Sequence, residues 1–235
     1  MDFSGKALKL ILEFEGLDQP SEWPGGDSGI TIGIGYDLGY EENLEDDWAN
    51  YLSQAQIARL KTVIGLKGAK AQARASEFKD IHINRSDAEA VFTQSTLPDN
   101  IKQTRGAFPG FDNLPLDAQG ALVSLVYNRG TSVSGDRRRE MLAIRDLVPQ
   151  KDLKGIADQL LAMKRLWPDV RGLQRRRDAE ADLVLSCISA EPMDPSESVE
   201  PEPVPEPVPV EPSDPISTGV INLIVFLIKK ILGRK

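Results

Sequence analysis

Apolar residues at Leu8, Ile11, Leu12 and Phe14 recur at helical spacing, which predicts a first helix from about Ser4 to Glu15 with Gly16 as its stop. Residues 17–28 carry Pro20, Pro24, Gly25 and Gly26 and read as loop. The pattern then changes period. Residues 29–39, GITIGIGYDLG, alternate, and strand alternation sends Thr31, Gly33, Gly35 and Asp37 to one side. On that reading the two glycines leave a side-chain-free floor between two polar groups, within a small hairpin.

Beyond the hairpin the pattern turns helical and stays so. Ser53-Gln54-Ala55-Gln56 and Ser86-Asp87-Ala88-Glu89 both have the hydroxyl-x-x-Gln/Glu spacing of a capping box, so helices are expected to begin there. Pro115 suits a first helical position, the apolar run 116–127 follows, and Gly130 closes it. Further helices are expected near 137–147, 153–163 and 174–189. The expected fold class is α+β and mainly helical, with one small sheet near the N-terminus.

After Ser189 the composition shifts abruptly. Residues 190–215 hold nine prolines and eight acids with no base, a stretch that has little to bury and reads as a semi-rigid, extended spacer. In the tail 216–235, ISTGVINLIVFLIKKILGRK, only Asn222 is polar from 220 to 228, and bases follow towards its end. As a helix it would confine Thr218, Asn222, Lys229 and Gly233 to a narrow polar stripe. Three parts are therefore expected: a globular domain over 1–189, a linker over 190–215 and a cationic hydrophobic tail helix over 216–235.

Charge follows the same division. The chain carries −8; with eight acids in the linker and four bases in the tail, residues 1–189 keep −4, a balance that does not favour a nucleic-acid binder. Cys187 is the single cysteine, so no internal disulfide forms, and an ordinary core or helix-end position is expected for it. Asp2, Glu13 and Glu15 flank and interrupt the opening apolar run, which argues against a conventional secretory signal. His82, the one histidine, has no second ligand of its type and is expected at a loop edge; neither a zinc site nor a Ser-His-Asp triad is evident, and no cofactor motif is present.

Two carboxyls near the N-terminus suggest glycosidic chemistry. Cleavage of a glycosidic bond needs a protonated carboxyl at the leaving oxygen and a second carboxylate that activates water or attacks the sugar. Glu15, at the end of the first helix, is the candidate acid; an apolar wall and a neighbouring carboxylate would favour its protonated form. Asp37 is the candidate base, with Thr31 placed to hold the water.

Several separated segments resemble the pesticin and phage-endolysin branch of the lysozyme superfamily, muramidases that cut the glycan strands of peptidoglycan. Glu15-Gly16 is similar to that family's catalytic Glu at the end of the first helix, and residues 28–39, SGITIGIGYDLG, resemble its hairpin with Thr and Asp. Residues 121–130, ALVSLVYNRG, resemble the helix of the second lobe, and residues 172–180, GLQRRRDAE, the closing helix. The resemblance spans about residues 4–188 and implies a two-lobed lysozyme-like domain acting on peptidoglycan as a monomer, at the periplasmic cell wall. Many phage lysozymes place the Asp before the Thr, which would point to Asp27; the pesticin type places it six residues after, at Asp37, and Asp37 is preferred here.

Tyr36, Tyr127, Asn128 and Arg129 are candidate substrate-binding residues, with the alternative that the last three pin the lobes together. The three arginines 175–177 cannot all point one way on one helix, so some are expected to be structural ion-pair partners; the same holds for 137–139. The tail has about 13 apolar residues before its charges dominate, short of the roughly 20 a spanning helix needs, so a surface-lying or partly inserted helix on a bacterial membrane is expected. The alternatives are chitin as substrate, a non-catalytic peptidoglycan-binding module, and a protein whose working part is the membrane-seeking tail.

Overall fold

The computed structural model describes residues 3–188, so the linker and tail lie outside the described residues. Residues 3–188 fall within one compact unit, mainly helical, with one two-stranded antiparallel sheet. The helices are α1 (Gly5–Phe14), α2 (Leu44–Trp48), α3 (Gln54–Lys61), α4 (Ala69–Ala75), α5 (Arg85–Val91), α6 (Leu97–Ala107), α7 (Leu116–Arg129), α8 (Arg139–Leu147), α9 (Leu153–Ala162) and α10 (Arg171–Ser186). The strands are β1 (Thr31–Ile32) and β2 (Tyr36–Asp37).

The centre of the unit is α7. Ala118 and every residue from Gly120 to Val126 are buried, so the helix is surrounded rather than amphipathic. It packs against α1, α6 and α10, while α10 also packs on α9, and α9 on α8. At Gly120 a Cβ would overlap that of Ala7, so only glycine lets α1 approach α7 so closely. That approach sets the end of α1, and hence Glu15, beside the C-terminal half of α7.

Local chemistry sets the helix starts. Ser53 forms the expected capping box, accepting from the Gln56 N–H while its own N–H donates to the Gln56 side chain at 2.9 Å. The expected box at Ser86 is not what starts α5. Asn84 is the N-cap, its side-chain oxygen accepting the Asp87 N–H at 2.9 Å, and Ser86 falls inside the helix with its hydroxyl donating to the same oxygen. Pro115 caps α7 instead of opening it, Gly130 ends it with φ 72°, and α10 begins at Arg171, ahead of its expected start. Cys187 is buried as the C-cap of α10, and His82 is exposed in a loop.

Candidate functional site: a hairpin and a helix end

The glycine-rich segment is the expected hairpin, but the alternation does not run through it as one strand. Thr31 pairs with Asp37 and Ile32 with Tyr36, and residues 33–35 form the turn, with Gly33 and Gly35 both at φ 64°. The expected glycine floor is therefore absent. A Cβ on Gly33 would press into Trp48, and one on Gly35 would overlap the Tyr127 hydroxyl, so these glycines make room for protein side chains. Thr31 and Asp37 still share a face because they are opposed across the ribbon.

Glycine serves the site at two other positions. Asp37 Oδ1 accepts the N–H of Gly29 and of Gly39, each at 2.8 Å, and a Cβ on either glycine would crowd that oxygen. Asp37 is thus cradled by backbone with its side chain half-buried. Thr31, 5% exposed, donates weakly to the Gly29 carbonyl at 3.5 Å. Asp27, by contrast, is exposed in a turn.

Glu15 sits one residue past α1 in extended conformation, as its C-cap, instead of in the last helical turn. Arg85 fixes the backbone there, donating to the carbonyls of Leu12 at 2.6 Å and Glu15 at 3.1 Å, groups that a helix end leaves unpaired. The Glu15 carboxylate is paired with a base, a partner not assigned to it from the sequence. Its Oε1 accepts from the guanidinium of Arg176, a side chain only 3% exposed.

Arg176 is held from beneath by a buried network. Its Nη2 donates to the Ser124 carbonyl at 3.1 Å and its Nε reaches Glu180 Oε1 at 3.3 Å. Glu180, fully buried, also accepts from Ser124 Oγ at 2.6 Å and Arg177 Nη2 at 2.8 Å. Burial pushes the Glu180 carboxyl up, against the pull of Arg177 and Arg176. The three arginines do diverge, Arg175 reaching out to Glu13 at 3.8 Å.

The sequence pattern places structural ion pairs among arginines 175–177 without naming their partners, and it gives no signal for Asp18. Arg176 and Glu180 lie far along the chain from Glu15, so only the packing of α1, α7 and α10 brings them together. The backbone of Asp18 pairs with Gly33, and its Oδ2 accepts the Gly35 N–H at 3.2 Å. Burial pushes its carboxyl above the usual range, the Gly35 N–H opposes this, and Asp37 and Glu22 add to the rise. Its position in a Pro/Gly loop, without periodicity, concealed it.

Tyr127 ties α7 to the ribbon. Its hydroxyl donates to the Ile34 carbonyl at 3.0 Å and its ring stands edge-on to Phe92. Burial raises the hydroxyl, and the charges of Glu15 and Asp18 raise it further, so those two carboxyls share its surroundings. Asn128 accepts from Arg177 at 3.3 Å. Arg129 stacks over Trp167, 4.6 Å from the ring centroid.

Tyr36 lies apart. It points to the other face of the ribbon, buried edge-on against Trp48, and its hydroxyl donates to Asp47 at 2.7 Å. That hydroxyl borders a polar cleft of about 310 Å³ shared with Glu41, Asp47 and Asp99. Glu15, Thr31 and Asp37 do not line this cleft. Among the described residues no group of three or more His, Cys, Asp or Glu side chains is placed to hold a metal ion, and no helix is long and apolar enough to cross a membrane. The chain matches no protein-family model and no curated protein sequence.

Proposed function

We propose that the protein is a muramidase, hydrolysing the glycosidic bonds of bacterial peptidoglycan. The observation that carries this reading is the Thr31–Asp37 pair, in which two backbone N–H groups hold an aspartate opposite a threonine across the ribbon. Such a pair is suited to orienting a water. Glu15 is then the general acid, delivering its proton to the leaving sugar oxygen while Asp37 accepts the proton of the attacking water. Arg176 fixes where the Glu15 carboxyl stands, and Asp18 supplies a third carboxyl whose burial favours its neutral form.

The cradle around Asp37 and the exposure of Asp27 support Asp37 as the second acid. The Tyr127 hydroxyl and the Asn128 side-chain oxygen are engaged by Ile34 and Arg177, which supports a structural role for these atoms beside any contact with substrate. A lysozyme-like, two-lobed arrangement belongs to the same proposal. Zymography on purified murein tests it: a clearing band from the wild type and none from Glu15→Gln supports the reading, and equal clearing by both rejects it. Parallel digestion of chitin separates the two polysaccharides.

A further inference from the structure

The C-terminal end of α7 gathers more positive charge than its surroundings neutralise. Arg129, half-buried over Trp167, donates through Nη2 to the Arg137 carbonyl at 2.7 Å. Its Nε and the Nη1 of Arg138 are both inaccessible to solvent and have no hydrogen-bond partner. Among the described residues no carboxylate lies within ion-pair distance of Arg129, Arg137 or Arg138. The acids at hand are already engaged: Glu140 with Arg165 at 2.5 Å and Arg139 at 3.0 Å, and Asp136 with Arg165 at 3.6 Å.

Buried guanidinium N–H groups without acceptors, crowded by like charge, are costly. Burial, with Arg138, Arg177 and Arg137 nearby, pulls Arg129 down to about 10. Arg137 is exposed and Arg138 half-exposed, so the cluster opens to solvent on one side. A planar oxyanion on that open side, which guanidinium forks bind bidentately, would offset the like charge without reaching the two buried N–H groups.

We propose that Arg129, Arg137 and Arg138 form a binding site for a carboxylate of the peptide stems that peptidoglycan glycan chains carry. The assignment rests on the muramidase reading, because it takes the anion to be part of the same polymer. α7 carries both places near its C-terminal end, on different faces: Tyr127 meets the ribbon, and Arg129, two residues on, turns to Trp167. Stem recognition then distinguishes murein from an uncharged polysaccharide of similar backbone.

The test is calorimetric titration of the full chain with a muramyl tripeptide, its carboxyl-amidated form, and inorganic phosphate. The wild type is expected to bind the carboxylate form at least tenfold more tightly than the amidated form or phosphate. Arg137→Gln with Arg138→Gln is expected to remove that preference, and the exposed single change Arg137→Gln to reduce it should the double variant fold poorly. Equal binding of both peptides, or a preference surviving in the soluble variants, overturns the site. Phosphate binding as tightly as the tripeptide reassigns it to a generic oxyanion and overturns the stem assignment. Murein turnover by the same wild-type sample separates the two readings: turnover without carboxylate preference rejects only this site, and absent turnover rejects the activity beneath it.

Discussion

Asp37 owes its setting to what its neighbours lack. Gly29 and Gly39 give it two N–H donors because neither has a Cβ to block the oxygen. Asp37→Asn keeps the shape of the side chain but not its charge, so murein hydrolysis is expected to fall by about 10²–10⁴-fold, as for loss of a catalytic base, with an unchanged circular-dichroism melt. Asp27→Asn is expected to stay active in the same assay. A second residue-level expectation concerns Glu140, 2% exposed. Burial pushes its carboxyl up, but bonds from Arg165, its own backbone N–H and Arg139 outweigh this and hold it below the ordinary 4.5. A carboxyl depressed on folding stabilises fully above its unfolded value and loses that contribution as pH falls through the folded one. Melting temperature should therefore drop as pH goes below 4.5, and Glu140→Gln should flatten that acid slope while lowering stability at neutral pH.

At the scale of elements, the close approach of α1 to α7 and the packing of α10 on both determine what Glu15 touches. Glu180 lies fully buried with two guanidiniums, and removing one member of such a network strands the others. Glu180→Ala is expected to cost about 3–5 kcal/mol in denaturant unfolding. Ser53→Ala, which removes one half of an exposed capping box, should cost only about 1 kcal/mol and leave hydrolysis intact. Much of the architecture was legible because its signals are local: the periodicity of α1, the capping box of α3, and the glycine that ends α7. Thr31 and Asp37 were grouped correctly by an alternation that does not run through the turn; their pairing arises from hairpin register. That some of arginines 175–177 are structural ion-pair partners was legible from their spacing; which acids they meet and that Glu180 is buried were not, because no local pattern tells a buried guanidinium from a solvated one. Asn84 displaced Ser86 as a cap because sequence spacing alone does not choose between adjacent polar residues.

For the whole molecule, the sequence joins a helical unit to an acidic, proline-rich stretch and an apolar, cationic tail outside the described residues. We propose that the tail brings the protein to a bacterial membrane, next to the murein. Liposome flotation should carry the full chain but not one ending at Ser189, and equal flotation of both would remove the tail from the account. The central claim concerns the bond that is cut. Mass analysis of purified murein digested by wild type, Glu15→Gln and Asp37→Asn tests it most directly: muropeptides with new sugar reducing ends from the wild type alone are the predicted result. Equal release by all three proteins, or wild-type products cut only within the peptide stems, would contradict it.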